Sequence, residues 1–298
     1  MREFQYELFD NLTALHEDLK SRQYVHGGYH AFTISDPKPR NIHKATVRDR
    51  LLHHALHRAL HYFFDTTFIS DSFSCRRAKG THKAIERFTQ FARRASKNNT
   101  RTLWVLKCDI RKFFANIDHD VLSEVLHSYI PDAEVMRLLE CIIGSFSTGA
   151  PNKGLPLGNL TSQLLVNIYM NEFDQFMKHQ LKAKYYIRYA DDFVVLSSDK
   201  ARLHSMLRKM REFLLTKLHL TLHPNKVSIT TIASGIDFLG WVHFLDHRVL
   251  RTTTKRRMLK RISKNPADNV IQSYLGLLRH GNTQKLQEVV QQLVDSRA

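Results

Sequence analysis

The chain has 298 residues, with 45 Lys and Arg against 28 Asp and Glu, which gives a formal net charge of +17 at pH 7. This charge favours a polyanionic partner, because cationic side chains placed against phosphates release counterions; a basic solvated surface is the plainer alternative. No apolar run is long enough to span a membrane, no signal peptide is visible, and Cys75, Cys108 and Cys141 form no paired motif, so a reduced cytoplasmic protein is expected.

Apolar periodicity predicts helices in the first third of the chain and a strand after them. Residues 46–64 and 81–96 carry apolar side chains at helical spacing. Residues 103–110 form an apolar, β-rich run that predicts a buried strand. Two longer helices are predicted over 118–144 and 160–182, on either side of a turn-rich stretch.

The second half of the chain opens with a predicted β-hairpin. Residues 184–189 and 193–197 are β-rich runs that flank Ala190-Asp191-Asp192. The later predicted elements are a helix, three short strand regions and a basic helical tail broken at Asn265-Pro266: 200–218, 220–222, 227–232, 236–244 and 252 onward. This order predicts an α+β fold around a split β-α-β core.

Two adjacent carboxylates, Asp191 and Asp192, stand at the tip of the predicted hairpin. Like charges this close raise each other's pKa values, so a site keeps them together when a divalent cation neutralises them. An acidic turn in solvent is the plainer interpretation, because Asp favours turns. Apolar strands on both sides, and Asp109 at the end of another predicted strand, favour a site for two Mg²⁺ ions that performs phosphoryl transfer.

Seven blocks in chain order resemble the motifs of reverse transcriptases over nearly the whole sequence. They are Lys38-Pro39-Arg40 with Ile42 and Val47-Arg48-Asp49-Arg50, Phe73-Ser74-Cys75-Arg76-Arg77 with Gly80-Thr81-His82-Lys83-Ala84, Lys107-Cys108-Asp109-Ile110-Arg111-Lys112-Phe113-Phe114 with Ile117-Asp118, Gly154-Leu155-Pro156-Leu157-Gly158-Asn159-Leu160-Thr161-Ser162-Gln163, Tyr189-Ala190-Asp191-Asp192, Leu222-His223-Pro224-Asn225-Lys226 and Phe238-Leu239-Gly240-Trp241. The resemblance implies a right-hand polymerase fold. Residues 1–102 are expected to form an N-terminal segment and fingers. Residues 103–245 form the palm, with part of the fingers at about 140–165, and residues 246–298 form a short helical thumb.

The resemblance also implies which residues perform the chemistry. Asp109, Asp191 and Asp192 would hold two Mg²⁺ ions, which Mn²⁺ can replace, and the backbone carbonyl of Ile110 would complete one shell. Lys226 matches the lysine that protonates the leaving pyrophosphate in this family. A solvated lysine is the alternative for Lys226.

Further matches concern the incoming nucleotide. Arg40, assisted by Lys38, matches the arginine that grips the triphosphate, for which a planar guanidinium is well suited; a solvated basic loop is the alternative. Phe114 stands where the family places a gate against the 2′-hydroxyl, with core packing as the alternative because Phe113 is adjacent. The other residues of the predicted nucleotide pocket are Leu157, Gly158 and Gln163.

Contacts to template and primer are expected from basic residues and from a motif that resembles the primer grip. The motif can equally be a buried strand, and the basic tail can be a solvated face. The predicted residues are Arg76, Arg77, Phe238, Gly240, Trp241, Lys255, Arg256 and Lys260.

The fourth block indicates the kind of reverse transcriptase. Leu157 and Gln163 stand where many bacterial enzymes have Gln and Pro, and this pattern is similar to the enzymes of diversity-generating retroelements. Such an enzyme, in a bacterium or phage, copies a template RNA and misincorporates opposite adenines. The resemblance implies template RNA, primer or cDNA, dNTPs and a small basic accessory oligomer as partners, and no membrane. A group II intron-like, retron or defence-associated enzyme and a catalytically silent RNA-binding scaffold are the alternatives.

Overall fold

The N-terminal part of the chain consists of helices around an exposed antiparallel hairpin. The structure is a computed structural model that describes residues 4, 6–35, 39–264 and 267–295. Helix α1 (Leu8–Lys20) precedes the hairpin strands β1 (Tyr29–Ile34) and β2 (Arg40–Ala45). The hairpin was not predicted, because most of its residues are exposed and show no apolar alternation.

Two predicted helices follow, α2 (Val47–Thr67) and α3 (Thr81–Ala95). Helix α2 begins where the Thr46 side chain accepts a hydrogen bond from the Asp49 backbone N–H, which satisfies one of the free donors of the first turn. Helix α2 packs against α6 (Leu160–Gln175), whose side chains are almost all buried. A π turn (Phe176–Gln180) extends α6, close to the predicted end of that helix.

The central sheet has the strand order β4-β5-β3-β6, with β3 (Trp104–Asp109), β4 (Tyr186–Tyr189), β5 (Asp192–Ser197) and β6 (Ser228–Thr231). Neighbouring strands are antiparallel. Helix α7 (Lys200–Leu218) connects β5 to β6, as the sequence predicts. This sheet is the split β-α-β core, and it carries the predicted carboxylates at one edge.

The predicted single helix over 118–144 is wrong. The segment forms α4 (His119–Tyr129) and α5 (Ala133–Gly144), separated by an extended Ile130. Pro131 explains the break, because a residue before proline is disfavoured in the helical region and proline itself has no N–H. Asp132 then caps α5 by accepting hydrogen bonds from two backbone N–H groups.

The predicted strand over 220–222 is also wrong, since Leu222 only forms an isolated bridge with Ile110. The predicted strand pair over 236–244 is present as β7 (Ile236–Phe238) and β8 (Trp241–His243), and β9 (Arg248–Leu250) extends this separate antiparallel sheet.

Three helices complete the described chain: α8 (Thr252–Lys264), α9 (Asp268–Leu278) and α10 (Gln284–Asp295). Their apolar faces pack around Trp241 of β8 and Ile85 of α3. Gly281 lies directly on the Trp241 ring, where a Cβ would clash with ring atoms. Within the described ranges, no helix is long and apolar enough to cross a membrane.

Candidate active site

The central sheet brings the three predicted carboxylates together at one edge. Asp109 ends β3 and Asp192 begins β5, and the two are direct partners in the strand register. Asp191 lies in the turn before β5, and its carbonyl accepts a hydrogen bond from the Ile110 N–H at 3.2 Å. The sequence placed these residues on two strands, and the antiparallel pairing makes them neighbours.

Two lysines supply positive charge beside these carboxylates. The Lys226 ammonium donates to both carboxylate oxygens of Asp109, each at 2.9 Å. The Lys107 ammonium lies 3.9 Å from Asp192 Oδ2 and donates to the carbonyl of Asp237. Lys107 was not singled out from the sequence, although its position two residues before Asp109 in a strand places both on one face.

The aspartates of the turn are held in an unfavourable environment for negative charge. Burial, with the neighbouring carboxylates adding to it, raises the pKa of Asp192 to about 7 against the opposing effect of Lys107. Burial and Asp109 also raise the pKa of Asp191. Asp192 Oδ1 is buried and has no hydrogen-bond partner within the described part of the chain.

The donor set fits Mg²⁺, a hard cation that prefers carboxylate oxygens. The unpartnered Asp192 Oδ1 is an oxygen for which a cation would compensate, and the raised pKa values show that the local positive charge is insufficient. As the side chains stand, no three His, Cys, Asp or Glu among the described residues are arranged to hold one ion. Both carboxylate oxygens of Asp109 are instead engaged by the Lys226 ammonium.

An open cleft of about 520 Å³ lies in front of this edge. Its walls come from β3, β5, the segment around Lys226 and the β6–β7 connection. The charged residues that line it are Lys107, Asp109, Asp192, Lys226, Asp237 and Arg251. Both signs of charge are therefore present, as a site for a metal-bound phosphate ester requires.

The turn of the hairpin rests on a buried ion pair that the sequence analysis missed. Arg188 of β4 and Asp174 of α6 are both 0% exposed and lie 2.7 Å apart. A signal was present, because a charged residue inside an apolar strand or helix must be paired when it is buried. The partner could not be read from the sequence.

Among the predicted nucleotide ligands, Arg40 is exposed at the start of β2. Its charge is the smallest of the influences on the pKa of Asp191, and its lowering effect is outweighed by burial and by Asp109. Lys38 lies outside the described residues.

The segment around Leu157 lies along β2. The Leu157 carbonyl accepts from the His43 N–H at 2.8 Å, and a Cβ on Gly158 would lie 2.6 Å from Ile42, so glycine is required there. Asn159 is buried; its side chain accepts from the Ala45 N–H and donates to the His43 carbonyl. Asn159 thus anchors the strand that carries Arg40.

The adjacent phenylalanines separate into two roles. Phe113 is buried in the core, whereas Phe114 is half-buried and meets it edge-on with 5.6 Å between ring centroids. Phe114 is thus the more accessible ring, as its predicted gate position requires. Gln163 is half-buried in the first turn of α6.

The neighbouring arginines Arg76 and Arg77 also differ. Arg76 points inward, where it donates to Asp65 Oδ1 at 2.6 Å and to the carbonyls of Ile69 and Ser72. The predicted nucleic-acid contact of Arg76 is corrected to an internal structural role, because its donors already have acceptors. Arg77 is exposed.

The predicted primer-grip side chains are part of the core. Phe238 is buried against α3, and Trp241 is buried against the C-terminal helices. Their rings are therefore not available to nucleic acid. Gly240 adopts a left-handed φ of 86° in the turn between β7 and β8. Only the backbone of this turn remains as a predicted contact.

The predicted basic contacts of the C-terminal region lie on α8. Lys255, Arg256 and Lys260 are exposed there, and Lys255 borders a groove between α8 and α10. Their contact with nucleic acid stays a prediction.

Comparison with known proteins agrees with this geometry. A family model described as reverse transcriptase (RNA-dependent DNA polymerase) matches residues 35–243. Protein YkfC of Escherichia coli (strain K12) is 28% identical, with 82% of this chain and 72% of that protein covered. The group II intron-encoded protein LtrA of Lactococcus lactis subsp. cremoris is 23% identical, and the match covers 74% of this chain but 46% of LtrA.

Solved telomerase structures share the fold. The telomerase of Candida tropicalis, solved in complex with a fragment of telomeric RNA, superposes with a TM-score of 0.58 at 11% identity, over 96% of this chain and 56% of that one. The apo form gives a TM-score of 0.57. The chain thus spans about half the length of LtrA and of these telomerases, and it has the right-hand polymerase fold. Since the family model covers most of the sequence, the chain belongs to the reverse transcriptases, the RNA-directed DNA polymerases.

Proposed function

We propose that this reverse transcriptase belongs to a diversity-generating retroelement and copies a template RNA into cDNA with errors opposite adenines. The position of Leu157 supports the proposal. Its carbonyl is bound to β2, so residue 157 lies beside the strand that carries Arg40, the predicted triphosphate ligand. A leucine there offers shape and apolar contact but no side-chain hydrogen bond, so a mispaired nucleotide loses less binding energy than it would beside glutamine.

The proposed chemistry uses the carboxylate edge. Asp109, Asp191, Asp192 and the Ile110 carbonyl would hold two Mg²⁺ ions, which would activate the 3′-hydroxyl of the primer and neutralise the triphosphate. Arg40, at the start of β2, would bind the triphosphate. The Lys226 ammonium donates a proton to the leaving pyrophosphate, which requires it to leave Asp109, its acceptor in the structure.

The test of the error-prone function is Leu157→Gln, with cDNA synthesised on an adenine-rich RNA and sequenced. We expect errors opposite adenine to fall about tenfold, the effect of roughly one hydrogen bond, while errors opposite other bases change little. Leu207→Gln is the matched control, because Leu207 is also half-buried but lies on α7. An unchanged adenine error rate in Leu157→Gln would contradict the proposal.

A group II intron-like reverse transcriptase is the second candidate, and the similarity to LtrA favours it. Retron and defence-associated enzymes are further forms of the same chemistry. The two leading candidates differ in their genomic surroundings. A nearby pair of imperfect repeats that differ only at adenines supports the retroelement, and a flanking self-splicing intron supports the other. The proposed partners are template RNA, primer, dNTPs and, for the retroelement, a small basic accessory oligomer.

A further inference from the structure

The buried guanidinium of Arg188, next to the hairpin turn, donates hydrogen bonds from all three of its nitrogens. Nε lies 2.9 Å from Asp174 Oδ1, and Nη2 lies 2.7 Å from Asp174 Oδ2 and 3.1 Å from Ser72 Oγ. Nη1 lies 3.2 Å from Asn167 Oδ1 and 3.1 Å from the Ala190 carbonyl. All five N–H groups of the side chain therefore have a partner.

Such a pair is poorly explained by stability alone. Removing two charges from water costs roughly several kcal/mol per ion. Apolar residues of similar volume at the same positions often give equal or higher stability. A buried ion pair is better suited to fixing one geometry. Tyr186 adds to this by donating to Asp174 Oδ1 at 2.6 Å.

The geometry that is fixed here is that of the turn before Asp191. Ala190 has a left-handed φ of 53°, which costs roughly 1–2 kcal/mol for a residue with a Cβ. Its carbonyl is held by Arg188, and the carbonyl of Asp191 is held by the Ile110 N–H at 3.2 Å. Both peptide groups that flank the Asp191 Cα are thus hydrogen-bonded. Arg188 binds the one before it, and Ile110, which follows β3, binds the one after it.

The network also joins the turn to the segment between α2 and α3. The Arg188 N–H donates to the Asp71 carbonyl and the Phe73 N–H donates to the Arg188 carbonyl, both at 3.0 Å. Asn167 donates to the Ser74 carbonyl at 2.9 Å. The anchor of the turn therefore rests on α6 and on this segment, neither of which lines the cleft.

We propose that Arg188, held by Asp174, is a positioning residue that fixes the direction of the Asp191 carboxylate and so sets the affinity of the site for divalent metal. Arg188 does not line the cleft, and it acts through the Ala190 carbonyl. The inference rests on the metal-binding role proposed above for Asp191.

Arg188→Lys tests the proposal. A lysine keeps the charge, but its single ammonium cannot bind Asp174 and the Ala190 carbonyl together as the planar guanidinium does. We expect Mn²⁺ affinity, measured by the EPR signal of free Mn²⁺ without substrate, to fall about tenfold or more, as for other residues that orient metal ligands. We expect kcat to fall by a similar factor, with Kd for primed RNA unchanged.

Two further variants distinguish positioning from simple stabilisation. The double variant Arg188→Met/Asp174→Leu removes the bond to Ala190 without leaving a buried unpaired charge, so it is expected to stay folded and to lose Mn²⁺ affinity as well. Tyr24→Phe is the control, because it removes a buried hydrogen bond to Asp49 far along the chain from the site. It is expected to lower Tm without changing Mn²⁺ affinity.

Wild-type Mn²⁺ affinity and kcat in a folded Arg188→Met/Asp174→Leu variant would overturn the inference. Failure of the wild-type protein itself to bind Mn²⁺ would instead overturn the proposed metal site, so the two failures are distinguishable.

Discussion

Charged side chains are paired on one face of the β4–β5 hairpin and are incompletely paired on the other face. On the buried face, Arg188 and Asp174 are fully enclosed and each donor of the guanidinium has an acceptor. On the cleft face, Asp109, Asp191 and Asp192 crowd together, the pKa of Asp192 is raised to about 7 by burial, and Asp192 Oδ1 has no partner among the described residues. The two arrangements meet at the turn between β4 and β5, which contains only Ala190 and Asp191.

The difference between the two faces shows how a fold can hold mutually repelling carboxylates at a defined position. The cleft face holds carboxylates whose pKa values are raised by burial, and on the proposed function a cation would neutralise them. The buried face keeps its charges fully paired, and we propose that this pairing holds the turn in place. Substitutions of the cleft-face carboxylates should therefore act mainly on activity, and substitutions on the buried face should act on both stability and metal affinity.

Asp191→Ala should have the largest effect. Loss of a metal ligand removes several kcal/mol of transition-state stabilisation, so primer extension should fall by ~10³-fold or more. RNA binding, measured by filter retention, and Tm should be maintained, because a repelling carboxylate is lost from the cleft. Retained extension would show that the carboxylate edge is not the polymerase site, and would favour the silent scaffold.

Asp174→Ala should have the largest effect on stability. It leaves the Arg188 guanidinium buried without its counter-ion, so the free energy of unfolding in urea should fall by about 3–5 kcal/mol. Asp65→Ala is the control, since Asp65 pairs with Arg76 but is itself partly exposed and its loss should cost less. Equal losses in the two variants would remove the distinction between this pair and an ordinary ion pair.

Lys226→Gln should lower the extension rate by ~10²-fold, the usual contribution of a general acid. Mn²⁺ affinity should hold or rise, because the ammonium that competes for Asp109 is removed. Lys153→Gln is the control, a partly exposed lysine near Asp118. An extension rate within about twofold of wild type would leave Lys226 with only a charge-balancing role.

The pH dependence of metal binding should be a smaller effect. A pKa of about 7 at Asp192 means that this carboxyl is largely neutral below that pH, so Mn²⁺ affinity should rise about tenfold in total from about pH 6 to about pH 8 and then level off. The raised pKa also means that protonation stabilises the metal-free fold, and that this stability is lost as pH rises through about 7.

Asp192→Asn provides the comparison for this pH effect, because it cannot ionise. In metal-free buffer, the Tm difference between Asp192→Asn and wild type should grow as pH rises from about 6 to about 8. A Tm difference that is constant over this range would place the pKa of Asp192 below it.

Much of the local structure could be predicted from the sequence. The strand that ends at Asp109, the hairpin around Asp191 and Asp192, and helices α2, α3 and α7 follow from periodicity, which acts within a few residues. The break between α4 and α5 was missed although Pro131 marks it, because the apolar pattern continues across it. The exposed hairpin β1–β2 has no such pattern, and its position depends on Asn159, far along the chain.

The sequence by itself determined the chemistry: the carboxylates, the basic partners and the ordered motifs of a reverse transcriptase. Only the tertiary structure decided which charges face the cleft and which are enclosed. Arg76 stands in a motif as Arg77 and Arg40 do, and Arg188 directly precedes one, yet Arg76 and Arg188 are paired internally whereas Arg77 and Arg40 are exposed. The reason is that a guanidinium is accessible or buried according to acceptors that other segments bring to it, and sequence patterns do not encode those long-range contacts.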